Sequence, residues 1–376
     1  MESDSAEAAN RATTSRFLDV PPAEAIGPAR RIAPIRKPDG FTPAVQRWSF
    51  LLPPGESGVR VAFFGAQADT EDGLDAHPLL GWAHRHLLVH PAGPTCVDHA
   101  RARLPGADRF EHVVSAYWVR EALYARWAAD AAAEGWWHEP ERREGRSGSW
   151  REILAIPRDR QESIYWKDHP GGLMRSPEVD LYPTPYCGYY GAMRDRLPAA
   201  AFDSLDTNVQ GDVAQCRGRR GYGEHWAITP PVNLALIRSA NTWGRMDAGQ
   251  LADYEAKLRI PLAAGMGFLT DNPLPTGCVS MRWQGSTDAG GGRMPEEHAH
   301  AYFLSLRHME RWAEGHETHA AIFRAAIQRY RSYGIANQLR TWHEVYVLPE
   351  RGQVFEYVNC APETGLLNWF EGVRVA

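Results

Sequence analysis

The chain has 376 residues, of which 44% are hydrophobic and 23% charged, with a formal net charge of −5. This is globular composition, long enough for one large core or two lobes, and its mild acidity leaves no electrostatic footprint for nucleic acid. No run approaches the roughly 18 apolar residues of a membrane span, and the opening Met1-Glu-Ser-Asp-Ser carries acids where a signal peptide needs bases, so a cytoplasmic protein without a membrane partner is expected.

Residues 1–45 are polar, small and Pro-rich, and read as an extended N-terminal arm wrapping the body. Structure is expected to begin at Gln46-Arg-Trp-Ser-Phe. Candidate strands are Val59–Phe64, Phe110–Trp118, Tyr186–Arg194, Trp226–Ser239, Gly277–Trp283, His298–Phe303, Thr341–Val347 and Val354–Cys360. Candidate helices are His77–Val89, Val119–Glu134, Ala248–Asp271, Leu304–Glu314 and Glu317–Tyr333. Ser204–Gly223 and the glycine-rich Gly285–Pro295 read as loops.

One segment is echoed. Ala116-Tyr-Trp-Val-Arg-Glu-Ala-Leu-Tyr-Ala-Arg-Trp127 matches Ala301-Tyr-Phe-Leu-Ser-Leu-Arg-His-Met-Glu-Arg-Trp312 without gaps, keeping Ala, Tyr, Arg and Trp at the same offsets. In both copies a strand end runs into an amphipathic helix. Two distant copies point to a duplicated unit rather than a solenoid. The expected fold class is α+β: duplicated ferredoxin-like units of the dimeric α+β barrel type, an antiparallel sheet flanked by helices. The expected division is the arm over 1–45, a first α+β half over 46–210 and a second over 211–376, the halves forming one body.

Several motifs carry little chemistry. The cysteines Cys96, Cys187, Cys216, Cys278 and Cys360 are odd in number and contain no CxxC pair, which argues against a zinc ribbon or a disulfide framework. Gly218, Gly221 and Gly223 lack GxGxxG spacing and a strand-turn-helix context. Arg142–Arg146 is mixed with Glu and reads as a solvated loop. His298 and His300 would share one strand face, which allows a metal pair, though a polar strand edge is favoured. Cys360 reads as a buried structural thiol rather than a nucleophile. The 14 Trp, 14 Tyr and 12 Phe fit either a large core or a pocket for a flat ligand.

The most informative stretch lies near the C-terminus. At helical spacing His319, Ile322, Phe323, Ala326, Ile327 and Tyr330 share one face. An imidazole on such a stripe is either a satisfied core histidine or an axial ligand for an apolar cofactor.

Six segments resemble the aldoxime dehydratases, haem enzymes that turn an aldoxime into a nitrile. They are Gly188–Pro198, Asn233–Ser239 with Trp243, Gly265–Cys278, Met309–His319, Leu339–Val345 and Gln353–Leu366, in the family's order across roughly residues 150 to 370. The leading arm, the Arg/Gly-rich Arg217–Arg220 and the Asp288–Arg293 insert depart from the pattern. The resemblance implies non-covalent haem b, ferrous in the active form, with His319 as the proximal ligand carried by the second half. It places Ser239, Arg196 and His343 on the distal side, Arg196 being favoured over Arg194, with Glu162 influencing them. It implies iron binding the oxime nitrogen while His343 acts as acid and base. It also implies a homodimer, and leaves arylalkyl and alkyl aldoximes equally open. From the residues alone, Ser239 also reads as a turn serine, Arg196 as a surface partner of Asp195 and His343 as a sheet-face histidine without a role. A haem carrier, a peroxidase-like enzyme and a cofactor-free hydrolase using Cys360 are the competing functions.

Overall fold

Alternating apolar residues build most of this molecule, whose computed structural model describes residues 17–21, 31–169, 171–209 and 220–375. Two short strands, β1 (Arg47–Leu51) and β7 (Asp180–Thr184), pair with each other. The other strands are β2 (Gly58–Ala68), β3 (Cys96–Arg103), β4 (Phe110–Trp118), β5 (Gly148–Pro157), β6 (Gln161–Ile164), β8 (His225–Ile228), β9 (Ala235–Thr242), β10 (Cys278–Thr287), β11 (Arg293–Phe303), β12 (Arg340–Val347), β13 (Val354–Val358) and β14 (Gly372–Arg374). They form one antiparallel sheet of order β14-β8-β13-β5-β2-β4-β3-β10-β11-β9-β12-β6. Helices α1 (Pro78–Ala83), α2 (Glu121–Ala128) and α3 (Ala131–Gly135) cover the outer face of β2 and β4. A short α4 (Ala192–Asp195) and then α5 (Ala248–Tyr254), α6 (Ile260–Asp271), α7 (Leu306–Gly315) and α8 (Glu317–Tyr333) serve the second half. The class is the expected α+β.

The echoed segments occupy matching places. β4 runs into α2 as β11 runs into α7, and Tyr117 and Tyr302 both point into the sheet's interior. Tyr117 donates its hydroxyl hydrogen to Glu344 at 2.9 Å, and Tyr302 donates to Glu152 at 2.8 Å. Each half thus reaches across to a carboxylate of the other. Tyr165 and Tyr357 supply second donors to Glu344 and Glu152 at 2.7 and 2.9 Å. Arg238 and Arg282 stand beside the two carboxylates at 3.7 and 3.3 Å. All of these groups are buried, where such ions survive only when paired and hydrogen-bonded. Strands also cross the division at residue 210: β6 pairs with β12 and β13 with β5.

Four expectations change. Tyr186–Arg194 is no strand, because Gly188 (φ 84°) and Gly191 (φ 91°) turn the chain in the left-handed region before α4 starts. Trp226–Ser239 is two strands, β8 and β9, at separate places in the sheet, interrupted at Pro230-Pro231, which offer no ladder donors. His298 and His300 do not lie on a polar edge; both are buried in the interior of a central strand. Gly285–Pro295 shrinks to a tight turn, with the Asp288 carboxylate accepting from the Gly290 and Gly292 amides at 2.9 Å each. Half of Ser204–Gly223, residues 210–219 with Arg217–Arg219 among them, lies outside the described residues, as does much of the arm. The arm's described stretches lie along the body, the Arg36 and Lys37 amides donating to Asp195.

Candidate active site

Between the outer face of β9, β11 and β12 and the helices α6, α7 and α8 lies a cavity of about 470 Å³. Strand alternation decides what it meets. Ile237, Ser239 and Asn241 of β9, Ala299 and Ala301 of β11, and Thr341 and His343 of β12 line it, while Arg238, His300 and Glu344 turn to the interior. Ser239 lies directly opposite His343 in the β9–β12 register, so the two share a face. The helices add Leu262, Met266, Leu269, Met309 and Ile322, and the wall is mostly apolar. Gly265 lets α6 and α8 approach closely, since a Cβ there would sit 2.7 Å from Ile322 Cδ1.

His319 stands in the first turn of α8. His316 caps that helix, its Nδ1 accepting from the Thr318 amide at 3.3 Å, and its ring stacks on Phe268 with centroids 4.0 Å apart. His319, Ile322, Phe323, Ala326 and Tyr330 all line the cavity, as the stripe predicts; Ile327 does not. Trp312 packs edge-on against the His319 ring at 4.8 Å. Burial holds His319 below the ordinary imidazole range, against a smaller upward pull from the Ala313 backbone. The positive end of α8 also disfavours the imidazolium. A neutral imidazole therefore faces an apolar space. Among the described residues no group of three or more His, Cys, Asp or Glu could hold a bare metal ion.

Across the cavity, three residues far apart in sequence form one cluster. Arg196 Nε donates to Glu162 Oε2 at 2.5 Å, Arg196 Nη2 lies 2.9 Å from His343 Nε2, and that nitrogen lies 3.0 Å from Glu162 Oε1. β6 brings Glu162 to β12, where it pairs with Val345 two residues beyond His343. Burial pushes Glu162 up, but Arg196 and His343 outweigh it and hold the carboxyl below its usual range. Burial lowers His343; Glu162 pulls it up, and Arg196 and Arg47 push it further down. Nε2 is engaged on both sides, while Nδ1 has no hydrogen bond to the described protein.

The local alternatives fall away. Asp195 is no partner of Arg196: its carboxylate accepts from the Arg36 and Lys37 amides and from the Tyr189 hydroxyl. Arg194 turns from the cavity and forms a two-pronged ion pair with Glu310 at 2.9 and 2.8 Å. Ser239 sits within β9 rather than at a turn. Cys360 is buried, its thiol pushed far up by burial and donating to the Ser149 carbonyl at 3.2 Å, as a structural cysteine would. The His298 and His300 imidazoles are driven down by burial, with Arg238 nearby. Sequence reasoning missed Arg47, Asn241 and Thr341 on the wall and the interior Arg238–Glu344 pair. The usable signal was a charge at alternate positions of an apolar strand.

A sequence model of the haem-containing dehydratase family matches residues 62–366. The chain is 31% identical over 341 residues to phenylacetaldoxime dehydratase of Bacillus sp. (strain OxB-1), covering 90% of this chain and 95% of that protein. It is also 31% identical over 342 residues to aliphatic aldoxime dehydratase of Pseudomonas chlororaphis, covering 88% and 93%. A crystal structure of aldoxime dehydratase superposes with a TM-score of 0.82 at 28% identity over 94% of this chain and 99% of that one. A second, an aldoxime dehydratase in complex with butyraldoxime, gives 0.83 at 26% identity over 94% and 97%. With most of its length matched by the family model and by these relatives, the chain belongs to the haem-containing dehydratase family.

Proposed function

We propose that this protein dehydrates aldoximes, R–CH=N–OH, to nitriles and water, with haem held in the cavity by His319. The observation that carries the reading is convergence: His319 and the cluster of Glu162, Arg196, Ser239 and His343 line or back a single apolar cavity. The cavity suits haem, which needs one neutral imidazole and a dry, mostly apolar wall, and the lack of a three-residue ligand set among the described residues speaks against a bare ion. Haem in its ferrous form supplies, when bound, an electron-rich iron for the oxime nitrogen.

The residues supply the rest. Hydroxide is a poor leaving group, water's pKa being about 15.7, so the oxygen needs a proton as the N–O bond breaks. Ser239 donates a hydrogen bond to the oxime oxygen and sets its direction. His343 delivers a proton from Nδ1, the ring nitrogen without a protein partner, and the oxygen leaves as water. The neutral imidazole then takes the proton from carbon, whose C–H pair becomes the third C–N bond. Protons balance, and His343 returns to its starting form. Glu162 accepts from Nε2–H in both protonation states, and Arg196 holds the Glu162 carboxylate in place, so the ring keeps one orientation and leaves Nδ1 free to give and take the proton. The apolar wall excludes the water that would compete for the oxygen.

The test is an anaerobic spectrum of the haem-loaded protein under dithionite, before and after phenylacetaldoxime or butyraldoxime, with nitrile assayed in the same sample. A shifted ferrous spectrum with nitrile formed is expected; a ferrous haem spectrum unmoved by either oxime, without nitrile, would overturn the reading. The Arg196–His343 pair would also suit peroxide cleavage, and oxidation state separates the two: dehydration runs from ferrous iron and peroxidation from ferric. A homodimer, expected from the resemblance, is tested by light scattering.

A further inference from the structure

The cavity wall carries two arginines, and only one is matched. Arg196 meets Glu162. Arg47, on β1, donates from Nε to the Tyr165 carbonyl at 3.1 Å and from Nη2 to the Thr341 carbonyl at 2.6 Å, and lies 4.9 Å over the Trp166 ring. Among the described residues no carboxylate lies within ion-pair distance of it. The wall's own acids are taken: Glu310 by Arg194 and Arg36, and Glu314 by Arg36. The charged neighbours that act on Arg47 are Arg196 and Arg340, both like charges; Tyr330 and Cys187 are kept neutral by burial. Burial itself pulls Arg47 down to about 10.

A half-buried guanidinium that faces carbonyl dipoles and a ring, with no carboxylate of its own, is stabilised when an anion joins it. Its position says which anion. Arg47 shares the cavity wall with Tyr330, which stands at the far end of α8 from His319. The eleven residues from His319 to Tyr330 span about 16 Å. The cavity therefore presents a neutral imidazole toward one end and an unmatched cation toward the other.

We propose that Arg47 pairs with a propionate of the haem, setting the macrocycle's carboxylate arms toward the Tyr330 end of the cavity. This rests on the haem reading of the site, and it adds a cofactor-orienting residue from β1, beside the strand-borne distal cluster. Arginine suits the role because its planar fork matches a carboxylate at two points, and its other donors already fix the side chain to the backbone.

The experiment titrates the apoprotein with haem and, in parallel, with haem dimethyl ester, whose carboxylates are capped, reading the Soret band. The readout is how the haem-to-ester affinity ratio changes between wild type and variant. Arg47→Met is expected to weaken haem about 10- to 100-fold and leave the ester unchanged, and Arg47→Lys to recover most of the difference. Equal weakening of both ligands in Arg47→Met would make Arg47 a strut for β1 and overturn the proposal. Unchanged haem affinity would also overturn it and leave the cation to another ligand. If the wild type binds haem and ester equally and Arg47→Met alters neither, this proposal falls alone; if it binds neither, the haem reading falls with it.

Discussion

The sheet has two outer faces, one for each half, and the chain treats them oppositely. Over β2 and β4 the space under α1, α2 and α3 is filled by Phe64, Trp82, Trp118, Trp127, Trp136 and Trp137. Phe64 meets Trp82 at 5.0 Å, and Trp118 meets Trp127 at 4.7 Å. Over β9, β11 and β12 the floor is Ser239, Ala299 and Ala301, and the space stays open. The first face retains a cavity of about 220 Å³, the second one of about 470 Å³. The scaffolds match: Ala116 and Ala301 hold the same place, and so do Trp127 and Trp312. A duplicated unit supplied two equivalent floors. Indoles closed one and small residues left the other hollow, so binding capacity here comes from what is absent above a common sheet.

The sharpest way to break the comparison is to exchange loss of ligand for loss of core. His319→Ala should abolish the haem spectrum while leaving the apoprotein's melting temperature nearly unchanged. Trp127→Ala, in the closed face, should cost about 3–5 kcal/mol of stability and leave haem uptake by the folded fraction intact. Normal haem absorption in His319→Ala would move the ligand elsewhere.

Next in size is chemistry without binding. Glu152 and Glu344 receive the crossing tyrosines, so Arg151 and His343 are counterparts on the outer faces. Arg151 is clamped by Glu134 and Glu356 at 2.6 and 2.7 Å and lines the small cavity. His343 lines the large one. His343→Ala should retain haem and lose about 10²–10⁴ in turnover, the range for a general acid–base group. Turnover near that of the wild type would remove it from the mechanism.

Much of this was legible in the chain. The α8 stripe is a 3.6-residue pattern over seventeen residues, long enough to be unambiguous, and it carried His319 to the cavity. The echo at Ala116 and Ala301 announced the duplication because it spans a strand end, a turn and a helix, which chance rarely preserves together. The distal cluster was legible only through resemblance. Glu162, Arg196 and His343 meet because β6 leaves its own half to pair with β12, and no local pattern encodes a partner 181 residues away. β5 and β6 were missed for a related reason. Their charges, such as Arg151, Glu152 and Glu162, are buried and matched by ion pairs, so they lack the polar-apolar alternation of a half-exposed strand.

A smaller effect tests the paired tryptophans. Trp312 Nε1 donates to Thr318 Oγ1 at 3.1 Å while its ring edge supports His319. Trp127 Nε1 donates to the His86 carbonyl at 2.6 Å inside the closed core. Trp312→Phe should weaken haem about 10-fold, as loss of outer-shell support commonly does, with little change in stability. Trp127→Phe should cost about 1 kcal/mol with haem affinity unchanged. Equal behaviour of the two variants would erase the functional distinction between the faces.

The smallest effect is a shift along the pH axis, and its sign is fixed by the cluster. Arg151 stays charged at every working pH, whereas its counterpart His343 titrates. Burial sets the His343 pKa below the ordinary histidine value, Glu162 opposes that shift and Arg196 adds to it. Protonating the departing oxygen requires the imidazolium, so the rate should fall as pH rises through the His343 pKa. Glu162→Gln keeps the shape but removes the upward pull, and the falling limb of the kcat profile should move to lower pH. Arg196→Gln removes a downward push and should move the limb to higher pH. Arg151→Gln, in the closed half, should leave the limb where it is. Opposite displacements from two residues that touch the same nitrogen would tie the limb to His343 rather than to the haem or to the fold, because a general loss of packing would move both variants the same way.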